Sequence, residues 1–439
     1  MVMSKISKIF NNKINLADKF LITTILLIPL SLAISIFTAD FLTSVSSLIF
    51  IFIFLSKDLD IFKKIKKEII FFFIFYLIIL TSLFLTEYKS ESFLASFFYF
   101  RYFLLSLIIF YLLKKYNFFF KIFYKVILLS IGLVVLDSLI QYIFGTNLLG
   151  YGLVVNREGE MIYLSGFFNE EKKLGSYLVR FLPLILSIIY FNEKKISLKI
   201  ELIILSFIGI SVFLATERTA LLLLLIIYFF YFLLSEKKLF FISIALIVFT
   251  FLFTFQKTLT QKYIFFTLEQ TGLITLKNPS ERPINRDIVR YYSYEHENLS
   301  YTGLRAFQNN FLFGTGVKSF YFHCRDTVEK YQYNNNQRKN RLVCSTHPHN
   351  TYVQILSEIG IFGFILILFF FVSILFTNFK IILNKNKNNL IKSYFFINLS
   401  IIINIMPLIP SGSFFNNWIS LMIFFPIGFL LYMRDNIKK

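Results

Sequence analysis

Imidazole and thiol are scarce in this chain. Four His and two Cys occur in 439 residues, and all six fall in one segment: His296, His323, Cys324, Cys344, His347 and His349. Any chemistry done with imidazole is therefore confined to one place. Charge is scarce too, at 16% of residues, and acidic groups number 25 against 45 basic ones. A soluble core is excluded: 56% of the residues are hydrophobic and 60 are Phe, more apolar surface than a water-soluble domain hides, so the solvent is lipid. AT-rich codon usage is a competing source of so many Phe. The first apolar span lacks a small-residue cleavage site and reads as an uncleaved anchor.

Hydropathy predicts an all-α polytopic membrane protein with about twelve transmembrane helices, near 20–37, 41–55, 69–86, 93–113, 126–144, 174–191, 200–215, 219–234, 239–255, 352–376, 393–409 and 417–433. Thr38-Ala39-Asp40 reads as the loop between the first two. Lys63, Lys64, Lys66 and Lys67, then Lys114 and Lys115, Lys194 and Lys195, Lys237 and Lys238, and Lys438 and Lys439 fall on alternate loops; the opposite short loops have almost no Lys or Arg. This is the positive-inside pattern, and it predicts two cytoplasmic termini. It accounts for most of the formal charge of +20, so nucleic-acid binding is not expected. The chain divides into an N-terminal membrane domain (1–255), a large loop outside the cytoplasm (256–351) and a C-terminal membrane segment (352–439). A smaller outer loop spans 145–173.

Arg101, Asp137 and Arg180 fall within predicted spans, each at a depth of roughly 9–12 Å from the outer end at the helical rise. Intramembrane charges are costly and are usually paired or functional. A shared polar pocket is one reading, with the surplus cation free to meet a lipid phosphate. A structural pair of Asp137 with one Arg is the other. Arg218, in the tight outer turn Thr216-Glu217-Arg218-Thr219, departs from the charge rule; it is either a phosphate ligand or an interfacial Arg that snorkels.

Two Cys in one exported loop suggest a Cys324–Cys344 disulfide, worth about 3 kcal/mol in the chain-entropy model. Leu304, Phe307, Gln308 and Phe311 have helical spacing, which predicts a short amphipathic helix over 301–312 that ends before Gly314-Thr315-Gly316. No strand precedes those glycines, so they are not a nucleotide loop. Asn334–Asn340 reads as a flexible tip. The strip Cys344-Ser345-Thr346-His347-Pro348-His349-Asn350 leaves three roles open. Its His could ligate zinc, although the spacing is not that of a zinc site. A neutral His could act as general base. A His could cap the helix that begins near Thr351.

Residues 346–363, Thr-His-Pro-His-Asn-Thr-Tyr-Val-Gln-Ile-Leu-Ser-Glu-Ile-Gly-Ile-Phe-Gly, resemble the signature of the bacterial O-antigen ligase and polymerase superfamily: a His-Asn pair, a Gln, then Glu-x-Gly-x-x-Gly entering a membrane helix. Arg305 with Phe311 to Gly316 and Phe320 resembles the family's Arg-bearing loop helix and Gly-x-Gly turn. Arg218 resembles its Arg after a span. Gly166-Phe167-Phe168 through Gly175-Ser176-Tyr177-Leu178 is similar to its re-entering outer segment. The likeness covers about 150–370. One departure is Glu170-Glu171-Lys172, where many relatives have Asn-Pro-Asn.

The resemblance implies a GT-C-type membrane glycosyltransferase, multi-pass in the bacterial inner membrane, with its site on the periplasmic face. The donor would be a polyprenyl-diphosphate-linked glycan. The acceptor would be a sugar hydroxyl of lipid A-core for a ligase, or another lipid-linked repeat unit for a polymerase. A polysaccharide or lipid transporter is a third class. No metal or other cofactor is implied. His349 would be the base, with His347 second, and a single displacement would invert the anomeric carbon. Arg218 and Arg305 would hold the diphosphate, with Arg180 and Arg101 as deeper support. Asn350 would orient His349 or the glycan, and Glu171 would orient the acceptor or pair with an Arg. Glu358 reads as a buried hydrogen-bond partner, and Gly360 and Gly363 as close helix packing.

Overall fold

A computed structural model describes residues 14–56, 60–155, 161–192, 198–235, 263–264, 267–268, 273, 293–326, 344–384, 388–407 and 409–437. The helices are α1 (Leu16–Ile34), α2 (Ile36–Ser56), α3 (Lys66–Leu85), α4 (Lys89–Phe97), α5 (Phe100–Lys115), α6 (Asn117–Phe144), α7 (Leu174–Phe191), α8 (Leu198–Leu214), α9 (Arg218–Leu234), α10 (Tyr294–Asn309), α11 (Thr351–Leu383), α12 (Asn389–Asn404) and α13 (Asn417–Ile437). One two-stranded ribbon pairs β1 (Val154–Val155) antiparallel with β2 (Met161–Tyr163), Val154 opposite Tyr163.

The protein is an all-α polytopic membrane protein. Among the described residues eight helices are long and apolar enough to cross a bilayer, and 200–214 and 218–234 are shorter apolar helices. Expected span 239–255 and the stretch 334–340 lie outside the described residues, and expected span 393–409 falls on the 16-residue α12. Large apolar side chains point outward along the bundle, Phe37 at 79% exposure and Phe52 at 72%; in water such a surface would aggregate, whereas lipid solvates it.

One expected boundary is corrected. Thr38, Ala39 and Asp40 are not a loop. The chain breaks at Ser35, and all three sit in the first turns of α2. Their polarity has a different cause: the Asp40 carboxylate meets Arg101 at 3.0 Å. The expected span 93–113 lies within one candidate membrane span, Lys89–Lys115, which is interrupted at Phe98 and Tyr99.

The bundle has two unlike ends. At the one where α1 begins and α5 and α13 finish, Asp18 is fully buried. It accepts from Lys115 Nζ at 2.5 Å, Tyr116 Oη at 2.6 Å and Tyr111 Oη at 3.1 Å. Lys114 pairs with Asp435 and Arg434 with Glu68. We call this the Lys face. At the opposite end, the His face, α6 and α9 meet the small loop, and α10 and the strip before α11 lie over the bundle.

Helix α11 is broken. Gly360 has φ 71° and ψ −166°, far from helical values. A break inside an apolar helix strands backbone groups that lipid cannot satisfy. Here the neighbouring loop and α3 supply partners for three of them. The Ser357 carbonyl accepts from Thr315 N at 2.8 Å, the Glu358 carbonyl accepts from Gly316 N at 2.9 Å and Ser82 Oγ at 2.8 Å, and Ile361 N donates to the Phe311 carbonyl at 3.0 Å. A Cβ on Gly314 would lie 2.3 Å from the Glu358 carbonyl carbon, and one on Gly360 would lie 2.2 Å from the Leu312 oxygen. Gly-x-Gly and Glu-x-Gly are thus two halves of one joint. Gly360 is a backbone break that seats a loop, not a close contact between helices.

Candidate functional site

The His strip is fixed at four points. The Cys324–Cys344 disulfide, with Cα atoms 5.7 Å apart, ties its start to the helical segment 320–326. Asn350 caps α11: its Oδ1 accepts from Tyr352 N at 3.0 Å and Val353 N at 3.1 Å, while Nδ2 donates to the Pro407 carbonyl at 2.8 Å. The helix cap is therefore Asn350 and not a His, and both ends of its carboxamide are engaged by backbone. Ser411 N donates to the His349 carbonyl at 2.9 Å. Helix α10 lies on the strip through Gly303, where a Cβ would fall 2.5 Å from Val353 and 3.4 Å from Pro348.

Three imidazoles gather there. The His347 and His349 rings are 4.1 Å apart, and those of His296 and His349 5.4 Å. His347 Nε2 faces the Ser411 carbonyl at 3.2 Å, so that nitrogen carries the proton; Nδ1 is then the acceptor for Thr346 Oγ1 at 2.9 Å. His349 Nε2 is 3.4 Å from Ser345 Oγ. Its backbone is left-handed, φ 54°, which is rare for a non-glycine residue. Burial pushes His349 down to about 4, with His347 and His296 adding like-charge repulsion. Burial also lowers His347 and His296. All three are neutral near pH 7, the protonation state a base needs. No group of three or more His, Cys, Asp or Glu that could hold a metal ion occurs among the described residues.

Beside the strip opens a cavity of about 600 Å³. Lys172, Lys173, Arg180, Lys318 and His347 line it, and Trp418 forms part of the wall. Arg180 comes from α7, is 6% exposed and donates from Nη1 to Asn404 Oδ1 at 2.8 Å. The start of α7 is capped from a distance. Glu217 accepts from Gly175 N at 2.7 Å, Ser176 N at 3.0 Å and Ser176 Oγ at 2.7 Å. A carboxylate at a helix N-terminus also complements the helix dipole. A second cavity, about 500 Å³, lies among α3, α11, α12 and α13 and is walled mainly by Phe and Ile.

The remaining expected residues are placed as follows. Arg101, Asp137 and Arg180 do not share one pocket. Arg101 is bound to Asp40, and Asp137 accepts from Leu148 N at 2.9 Å and Asn147 Nδ2 at 3.1 Å, which shapes the small loop. Glu171 pairs with Lys173 rather than with an Arg. Arg305 donates to Tyr301 Oη at 2.8 and 3.1 Å on α10. Arg218 is exposed at the start of α9, with Nη1 3.5 Å from Thr267 Oγ1, and is close enough to His296 to oppose its protonation. Sequence reasoning passed over Lys318, Glu217, Trp418 and the approach of His296. Their positions beside Gly316, Arg218, Asn417 and Ser293 were the available signals.

These helices and this polar end define a multi-pass α-helical membrane protein with an anion-attracting cavity. Residues 202–368 match the family model described as O-antigen ligase, and over that stretch the match supports the O-antigen ligase-like superfamily. The match supports a membrane enzyme of the O-antigen ligase or polymerase type. It takes in Arg218, Arg305, the Gly-x-Gly turn, the His strip and the break at Gly360; Lys172, Arg180 and Trp418 lie outside it. No curated protein matches the chain.

Proposed function

We propose that this protein is a glycosyltransferase of the bacterial inner membrane that transfers a glycan from polyprenyl diphosphate to a sugar hydroxyl of lipid A-core on the periplasmic face. The observation that carries the reading is the cavity that four cations and His347 line, with the His349 ring 4.1 Å from that of His347. Diphosphate is a good leaving group, so the reaction calls for fixed positive charge where negative charge accumulates, in a site shielded from water. Arg180, Lys172 and Lys173 supply it at the cavity. Arg218 and Arg305, which the resemblance singles out, add to it, since Arg can engage two phosphate oxygens at once.

His349 takes the acceptor's proton as the hydroxyl oxygen attacks the anomeric carbon. The bond from that carbon to the diphosphate oxygen breaks, the electron pair leaves with the diphosphate, and the anomeric centre inverts. A base held near 4 is weak, but the incoming diphosphate stabilises the imidazolium and raises its affinity for the proton as the complex forms. His347, which itself lines the cavity, is the second candidate base.

The test is deletion followed by analysis of surface glycan and lipid-linked precursors. Lipid A-core without polymer, together with accumulated long lipid-linked chains, is the expected result. Single repeat units capped on lipid A-core would make the protein a polymerase. Unchanged glycan on both carriers would overturn the reading.

A further inference from the structure

Lys318 belongs to none of the motifs that suggested function, yet its placement is unusually constrained. It has a left-handed backbone, φ 61°, two residues after Gly316. Its N–H donates to Glu358 Oε2 at 3.0 Å. Glu358 is fully buried in α11 and takes a further hydrogen bond from Gln354 Nε2 at 3.2 Å; Glu358 Oε1 has no hydrogen-bond partner among the described residues. The side chain of Lys318 lines the cavity with Arg180, Lys172 and His347.

We propose that Lys318 binds the donor's diphosphate directly, and that Glu358, through the joint between the Gly-Thr-Gly turn and the break at Gly360, is the positioning residue that aims it. This rests on the glycosyltransferase reading for the identity of the ligand, but only on the cavity for its phosphate chemistry. Three features support it. A left-handed non-glycine residue is strained, and such strain persists where the surroundings over-determine it. The surroundings here are a buried carboxylate and two turn hydrogen bonds, Thr315 N to the Ser357 carbonyl and Gly316 N to the Glu358 carbonyl. Burial also disfavours the Lys318 ammonium, with Arg101 nearby adding repulsion against the pull of Glu358 and Asp40. An anion in the cavity would offset that cost. The joint thus does more than close a break in a helix: it carries a cation to the cavity that Arg180 also lines.

The competing role is that Lys318 merely neutralises Glu358. Binding of inorganic pyrophosphate to the detergent-solubilised full chain separates the two. The chain has one Trp, Trp418, in the same cavity wall, so its emission reports occupancy. Lys318→Asn is the neutral variant of choice because Asn tolerates the left-handed backbone. It is expected to weaken pyrophosphate at least about tenfold, the size of a charge-assisted hydrogen bond. Lys318→Arg is expected to restore most of the affinity. Glu358→Gln, which keeps an acceptor for the backbone N–H, is expected to fall between. Pyrophosphate binding by Lys318→Asn equal to wild type, or no binding by wild type, overturns the proposal. Lys318-dependent binding by a protein that transfers no glycan would sustain it and remove the glycosyltransferase reading instead. Full transfer by Lys318→Asn with unchanged KM for the lipid-linked donor would remove this proposal alone.

Discussion

The two ends of the bundle use charge in opposite ways. At the Lys face carboxylates bind cations: Asp18 holds Lys115, Asp435 holds Lys114 and Glu68 holds Arg434. Those pairs staple helices that are far apart in sequence. At the His face Asp40 also holds a cation, Arg101, but three buried carboxylates bind backbone instead. Glu217 takes the N–H groups at the start of α7, Glu358 takes that of Lys318 and Asp137 takes that of Leu148. Glu171 there pairs with a cavity cation, Lys173. A carboxylate used on backbone fixes a loop, and Lys172, Arg180 and Lys318 line one cavity at this end. Counting charges would not distinguish the ends; their partners do.

The contrast can be broken at either end. The largest effect is expected from His349→Ala, which removes the proposed base: transfer should fall by about 10²–10⁴-fold in membranes where the protein still inserts. His347→Ala assayed in parallel decides between the two imidazoles, and a larger loss there would move the base to His347. Next comes Arg218→Lys, expected to cost about tenfold or more in kcat/KM if two phosphate oxygens are held at once. Turnover near wild type would reduce Arg218 to a surface charge.

A pH series should give a smaller, graded effect. His349 must be neutral to accept a proton, so kcat/KM should decline as pH falls towards about 4, while kcat declines at a higher pH because bound diphosphate favours the imidazolium. Coincident profiles would argue that no anion sits near His349. The same group, neutral in the folded state and ordinarily titrating at 6.5, contributes stability that is present above that value and lost as pH falls. The smallest effect on activity is expected at the Lys face. Arg434→Gln should cost at most about 1 kcal/mol of stability, because its pair with Glu68 is partly exposed, and leave transfer unchanged. A large loss of transfer would show that the two ends are coupled.

Much of this was legible in the sequence, for identifiable reasons. Long apolar runs declare themselves, and two Cys in one loop admit one intrachain pairing, which the structure contains. The His strip stood out because imidazole is rare elsewhere. Partners distant in sequence were not legible. Asp40 looked like part of a loop because its mate, Arg101, lies 61 residues on, and polarity without a visible mate resembles a turn. Gly360 looked like a packing glycine because hydropathy records side chains and not φ. Lys318 was one basic residue among many in a basic loop; only the cavity separates it from the others.

The joint at Gly360 also bears on how such a protein can vary. Its two halves, the turn at 314–316 and the break at 357–361, are mutually obligate. Delete the turn, and carbonyls of a lipid-immersed helix lose their donors. Straighten the break, and the loop loses its seat. Neither half is therefore free to drift alone, and an ancestor that acquired one without the other would have had an open wound in its membrane domain. Transplanting the loop into another scaffold should succeed only if the broken helix travels with it.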